Sequence, residues 1–369
     1  MLVTLKTDKK QLRFNDKIKC TVVIDEIDWG DFHECSFTLL INGLRAETVY
    51  KRIGCEANIT DITKPIDLEF YPSVFSFDGG IGKNSYVEIS LLTRFSGRHI
   101  FEKTESGRTT INVDLSDVRV LRTESGKTTR WVAHRNTIYF ASPYVTTVKH
   151  KKTTADINYF RIPDGAIHGK YLCDSDHVYC DGFKLKNVSS EHFVVFNRCF
   201  AGDKFSIFTV YGNAKVKHPW HFKVLDDGNV NNDDVYVSGY GRDDIHVYWF
   251  NGSTGTGHAT VVRSCKKPHT FRSIKSGYGI DDDFVYYEAV KIPKANPKTW
   301  TMINNNYSKD DKNVFYFRKL VVGADLESFE IIPDACFPDI DDSCCGKDKN
   351  RTYETGTSVT TSNRCIVHQ

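Results

Sequence analysis

Tyr307 to Ile332 read YSKDDKNVFYFRKLVVGADLESFEII. An aromatic opens the stretch, a polar turn follows, and Val314-Phe315-Tyr316-Phe317 is a run of bulky β-formers. Arg318-Lys319 turn the chain into Leu320-Val321-Val322, Gly323-Ala324-Asp325 break the pattern, and Phe329-Glu330-Ile331-Ile332 begin another short strand. Moved back by 29 residues, the stretch lands on Tyr278 to Ile303, with Val285 under Val314 and Trp300 under Phe329. Copies with the same spacing open at Phe200 and Tyr171 and close at Phe222 and Phe193. Looser copies open at Tyr240 and Trp131 and close at Phe271 and Phe160. That makes six units, and a seventh begins in Lys347-Asp348-Lys349-Asn350 and degenerates.

The aligned columns carry physical content. An aromatic always opens the unit: Trp131, Tyr171, Phe200, Tyr240, Tyr278, Tyr307. Three residues on stands Asp174, Asp203, Asp243, Asp281 or Asp310, with His134 in the first copy; a short carboxylate there bonds backbone N–H groups ahead of it and fixes a turn. Then come a β-branched residue (Ile138, Val178, Ile207, Val247, Val285, Val314) and an aromatic (Tyr139, Tyr179, Phe208, Tyr248, Tyr286, Phe315). Both faces of that strand carry bulk, as they must if units stack front and back. The pattern predicts an all-β repeat array.

Asp311-Lys312-Asn313-Val314-Phe315-Tyr316, followed by Gly323-Ala324-Asp325 and Phe329, resembles the bacterial DKNYY-repeat family over about 131–332. The likeness is close in the last two copies and loose elsewhere: Asp283-Phe284 replaces Lys-Asn, and Ser206-Ile207-Phe208-Thr209 lacks the tyrosine pair. It implies a β-repeat fold and a bacterial source, and it transfers no site residues.

The remaining sequence suggests three parts. Residues 1–118 read as short strands with turns such as Asn42-Gly43, a β-sandwich of immunoglobulin-like or C2-like kind. Residues 131–336 hold the repeats, and 337–369 form a Cys-, Asp- and Thr-rich tail. The repeats are expected to be hairpin-based and to form an open curved stack. The alternative is a six-bladed propeller, but 29 residues are short for a four-strand blade of roughly 40. Aromatics at 13% of the 369 residues favour sheet, and a formal charge of +2 gives no general basic surface for nucleic acid. No apolar run has the length of a membrane span or the place of a signal peptide, so the expectation is a cytoplasmic protein without membrane insertion. In such a compartment most of the 11 cysteines act as small buried hydrophobes.

Catalytic and metal motifs fail on their spacing. Gly79 to Ser85 superficially resembles a phosphate loop, but Phe77 and Asn84 occupy positions that need Gly and Ser or Thr. The Asp runs lack the alternation of a calcium loop. Cys336, Cys344, Cys345, Cys365 and His368 lack a zinc-knuckle pattern. No cofactor, metal or catalytic constellation is expected, so the expectation is a bacterial protein-binding protein and not an enzyme. Its best specific reading is an immunity protein neutralising a secreted toxin or effector; the alternative is a surface or particle-associated adhesin for carbohydrate or protein. Insertions at His150 to Thr154, Asn229 to Gly239 and Asn251 to Thr260 and exposed aromatics are where such a protein binds. Trp220, Tyr236, Trp249 and Asn251 are the candidate binding residues.

Overall fold

The computed structural model describes residues 2–8, 11–25, 32–41, 44–51, 66–70, 86–95, 103–110, 112–114, 117–141, 150–165, 169–230, 237–333 and 341–359. It is all-β, with helix limited among these residues to single 3-10 turns. The chain divides into two compact bodies, one of residues 1–162 and 168–184, the other of 163–167 and 185–369.

Two antiparallel sheets make up the N-terminal part. In one, Ile18–Asp25 lies between Leu2–Thr7 and Ile66–Phe70; in the other, Phe32–Ile41 and Tyr86–Phe95 lie between Leu44–Lys51 and Lys103–Thr110. Gln11–Arg13 and Asn112–Asp114 pair in parallel. Asn42-Gly43 and Gly79 to Ser85 fall outside the described residues.

Among the described residues the repeats form seven antiparallel meanders, where six were expected, and no sheet closes on itself. Six have four strands and the fourth repeat has five. Repeat 5 is typical: Arg272–Ser273, Tyr278–Ile280, Val285–Tyr287 and Val290–Lys291 pair in chain order. The hairpins expected of each unit are therefore chained into four-stranded sheets. Strands of only two or three residues let four of them fit where longer strands would need some 40 residues. From repeat 3 onward the first strand of each sheet follows the closing aromatic of the preceding sequence unit, as Arg272–Ser273 follows Phe271. The seventh sheet joins Glu330–Ile332 to Cys345–Lys347, Thr352–Glu354 and Thr357–Val359, so residues 345–359 of the expected tail are sheet.

The columns of the sequence are the core. Every opening aromatic, from Trp131 to Tyr307, is at most 2% exposed, as is every β-branched residue after it. Five of the six closing aromatics are buried; Phe160 is half-buried. Within the first body, Trp131, Ile138 and Phe140 of repeat 1 join Leu172 and Tyr179 of repeat 2. Within the second, Tyr240, Val247 and Phe271 join Tyr286, and Tyr278, Val285 and Trp300 join Phe315. The polar tips of the opening residues cross to the next sheet. Trp131 Nε1 donates to the Gly169 carbonyl at 2.6 Å, Tyr240 Oη to that of Gly277 at 2.8 Å, and Tyr307 Oη to that of Cys344 at 3.0 Å. Because the rings are desolvated on both faces, burial pushes the Tyr240, Tyr278 and Tyr307 hydroxyls above their ordinary pKa.

A further column pairs with the closing aromatic. A Cβ built on Gly279 would lie 2.3 Å from Phe271 Cζ, and one on Gly241 would lie 2.3 Å from Phe222 Cζ. The ring end rests on bare backbone, which only glycine leaves open there.

Candidate binding surface around Trp220

The column of aspartates sets the geometry of one end of each sheet. Asp243 is 0% exposed. Its Oδ1 accepts the backbone N–H of Ile245 at 2.9 Å and of His246 at 2.6 Å, closing the turn between the second and third strands. Its Oδ2 accepts Tyr248 Oη at 2.7 Å and the His218 N–H at 3.1 Å. The pattern recurs at Asp281, whose Oδ1 takes Asp283 and Phe284 N–H and whose Oδ2 takes Tyr286 Oη. It recurs again at Asp348, with Asn350, Arg351 and Tyr353. Each buried carboxylate is thus saturated by the donors of its own turn and of the loop entering the sheet. These residues are structural, as their spacing in the sequence suggested.

In repeat 4 the entering loop is His218-Pro219-Trp220-His221. Pro219 starts a 3-10 turn over Pro219–His221, where its missing N–H is no loss. Trp220 is 62% exposed. Its indole stacks on the His218 ring at 5.5 Å with the planes 9° apart, and His221 approaches edge-on at 5.8 Å. On the facing turn, next to Asp243, Asp244 projects outward. His218 Nδ1 lies 2.6 Å from Asp244 Oδ1, and His221 Nδ1 lies 3.1 Å from Asp244 Oδ2. Hydrogen bonds from His218, with a smaller one from His221, hold the Asp244 carboxyl below the usual range. Ile245, 44% exposed, is the next residue of the same turn. Among the described residues, His218, His221 and Asp244 are the group able to offer three ligand atoms to a metal.

Of the three candidates among the described residues, Trp220 is thus the one placed on an open, built surface. Trp249 is only 5% exposed: its ring packs on Tyr240 at 4.5 Å, because this strand is covered on both faces. Asn251 caps the 3-10 turn Gly252–Thr254, its Oδ1 accepting the Ser253 N–H at 2.9 Å. Tyr236 lies outside the described residues. Parts of the expected insertions are sheet: Lys151–Lys152 is the fourth strand of repeat 1, with His150 and Thr153 buried beside it, and Asn229–Val230 adds a strand to repeat 4.

The cysteines divide by environment. Cys173, Cys199, Cys265 and Cys344 are buried as thiols, whereas Cys345 is disulfide-bonded. Burial raises the Cys265 thiol to about 12, which keeps it protonated and unreactive. No helix among the described residues is long and apolar enough to cross a membrane.

Comparison with curated proteins and with solved structures returned no match. The family model that does match is that of the DKNYY family, over residues 131–319. This span runs from the opening Trp131 of repeat 1 to Lys319 of repeat 6 and takes in the aspartate turns from Asp174 to Asp310, the opening aromatics from Trp131 to Tyr307 and the Trp220 loop. By that match, and by the repeated D-x-x-x-V-aromatic turn-and-strand unit that underlies it, the chain belongs to the DKNYY family.

Proposed function

We propose that the chain is a non-enzymatic protein-binding protein, and specifically a bacterial immunity protein that neutralises a secreted toxin or effector. The observation that carries this reading is Trp220. A large indole stands mostly in solvent on a turn started by proline, tied through the His218 N–H to buried Asp243 and stacked on the His218 ring. Holding such a side chain in place before binding lowers the ordering cost of association, and Trp is a favoured anchor of protein interfaces. The repeat columns carry the fold, so this end of the sheet is free to serve a partner.

The test is co-expression with the product of the adjacent gene, followed by affinity capture. The wild-type chain is expected to protect the host and to retain the effector. Trp220→Ala is expected to weaken retention by about thirtyfold, the effect of losing a hot-spot side chain worth about 2 kcal/mol. Recovery of a glycan with no protein would sink the immunity reading.

A second reading, an adhesin on a cell or particle surface, is favoured by the Cys345 disulfide, since such bonds persist in oxidising compartments. The same capture experiment separates the two, because an adhesin retains carbohydrate or a host surface protein and gives no protection.

A further inference from the structure

We infer that His218, His221 and Asp244 form a surface site for a divalent first-row transition metal of the zinc class. Two imidazoles converge through Nδ1 on one carboxylate, and each takes a different oxygen, at 2.6 Å and 3.1 Å. One atom from each residue lies within 4.8 Å of the others. Ligands arranged tetrahedrally around zinc at 2.0–2.1 Å stand about 3.3 Å apart. Rotation of side chains that are all at least 36% exposed closes the difference without moving backbone.

The backbone is already fixed. The histidines sit three residues apart across the Pro219 turn, and that turn and the Asp244 turn hang on the same buried carboxylate, Asp243. Trp220 stacks flat against His218 and limits the rotation of its ring. With the Asp244 contact each imidazole carries its proton on Nδ1. Metal binding moves that proton to Nε2 and frees Nδ1 as the ligand.

Two nitrogens and one carboxylate oxygen are a borderline donor set. They suit zinc, cobalt, nickel or copper better than calcium or magnesium, which want oxygen alone. Three protein ligands leave the fourth position to water, or to a side chain of whatever protein meets Trp220.

The experiment is a titration of the full chain with cobalt(II), read by visible absorption and by quenching of tryptophan fluorescence. One equivalent should bind, with visible d–d bands and without the near-ultraviolet charge-transfer band of a thiolate ligand. Trp220→Phe should remove most of the quenching while leaving binding intact. His221→Ala and Asp244→Asn should each weaken binding by at least about a hundredfold, since even outer-shell changes at metal sites cost 10–100-fold. Circular dichroism of both variants establishes that they are folded. Failure to bind, thiolate charge transfer, or unchanged affinity in folded His221→Ala and Asp244→Asn overturns the site.

Discussion

Asp243 and Asp244 are neighbours in sequence with opposite roles, and replacing each by alanine separates them. Asp243→Ala removes the acceptors of four donors: the N–H groups of Ile245, His246 and His218, and Tyr248 Oη. A buried donor left without a partner costs about 1–3 kcal/mol. Ile245 is 44% exposed, so its N–H finds water. The other three donors then bear the loss, which gives about 3–9 kcal/mol. Asp243→Asn keeps one acceptor oxygen for the turn but points an NH2 at Tyr248 and the His218 N–H, and about half the loss is expected. Asp244→Ala removes only exposed pairs with histidine and stays within about 0.5 kcal/mol. Urea midpoints, with hydrogen exchange resolved by repeat, measure all three, since arrays of this kind unfold locally. An Asp243→Ala variant that unfolds at the wild-type midpoint would refute the reading of this column as structural.

Two further outcomes test the core and its pH response. Trp300→Ala, which removes a closing aromatic 9% exposed, should cost about 3–5 kcal/mol in chemical denaturation. Trp300→Phe should cost far less, because Trp300 Nε1 has no hydrogen-bond partner and four other buried closing aromatics are already phenylalanine. His150 lies 6% exposed against Phe14, whose ring also meets His134 and Tyr139, and Asn15 holds the His150 backbone on both sides. Burial lowers its pKa from 6.5 to about 4, so the folded form favours the neutral ring. Its contribution is therefore whole above about pH 6.5 and is lost as pH falls towards 4, about 3 kcal/mol in total. Denaturation midpoints at about pH 7 and pH 4.5 should differ in the wild type by more than in His150→Phe, and equal slopes would exclude this histidine as the cause.

Much of the fold was legible because the same physical demand repeats. Each unit needs a ring to bridge sheets, a polar side chain to close a turn (a carboxylate in all but the first, which has His134) and a β-branched residue after it, so the spacing shows through divergent sequence. The seventh repeat was harder to see because Cys345 stands in the opening aromatic column and Thr352, β-branched but polar, replaces the usual Val or Ile, although Asp348 and Tyr353 keep their places. Trp249 was misplaced for a reason its own strand supplies: Val247, Tyr248, Trp249 and Phe250 are all buried, and a strand covered on both faces has no outward side. The meeting of His218 and His221 with Asp244 has no local signal on the aspartate side. It depends on the Asp243 hydrogen bond, which spans 25 residues of chain.

The offset between sequence unit and sheet bears on how such an array changes length. A unit counted from one opening aromatic to the next contains the last three strands of one sheet and the first strand of its successor. Removing or copying one such unit splices a first strand from one repeat onto the remaining strands of another. Because the closing rings and aspartate turns are interchangeable in kind, the hybrid sheet is complete, with no strand missing and no edge newly bared. Recombination can therefore lengthen or shorten the array by whole units wherever the breakpoints fall within the repeated phase, and the fold does not constrain the gene to break between sheets.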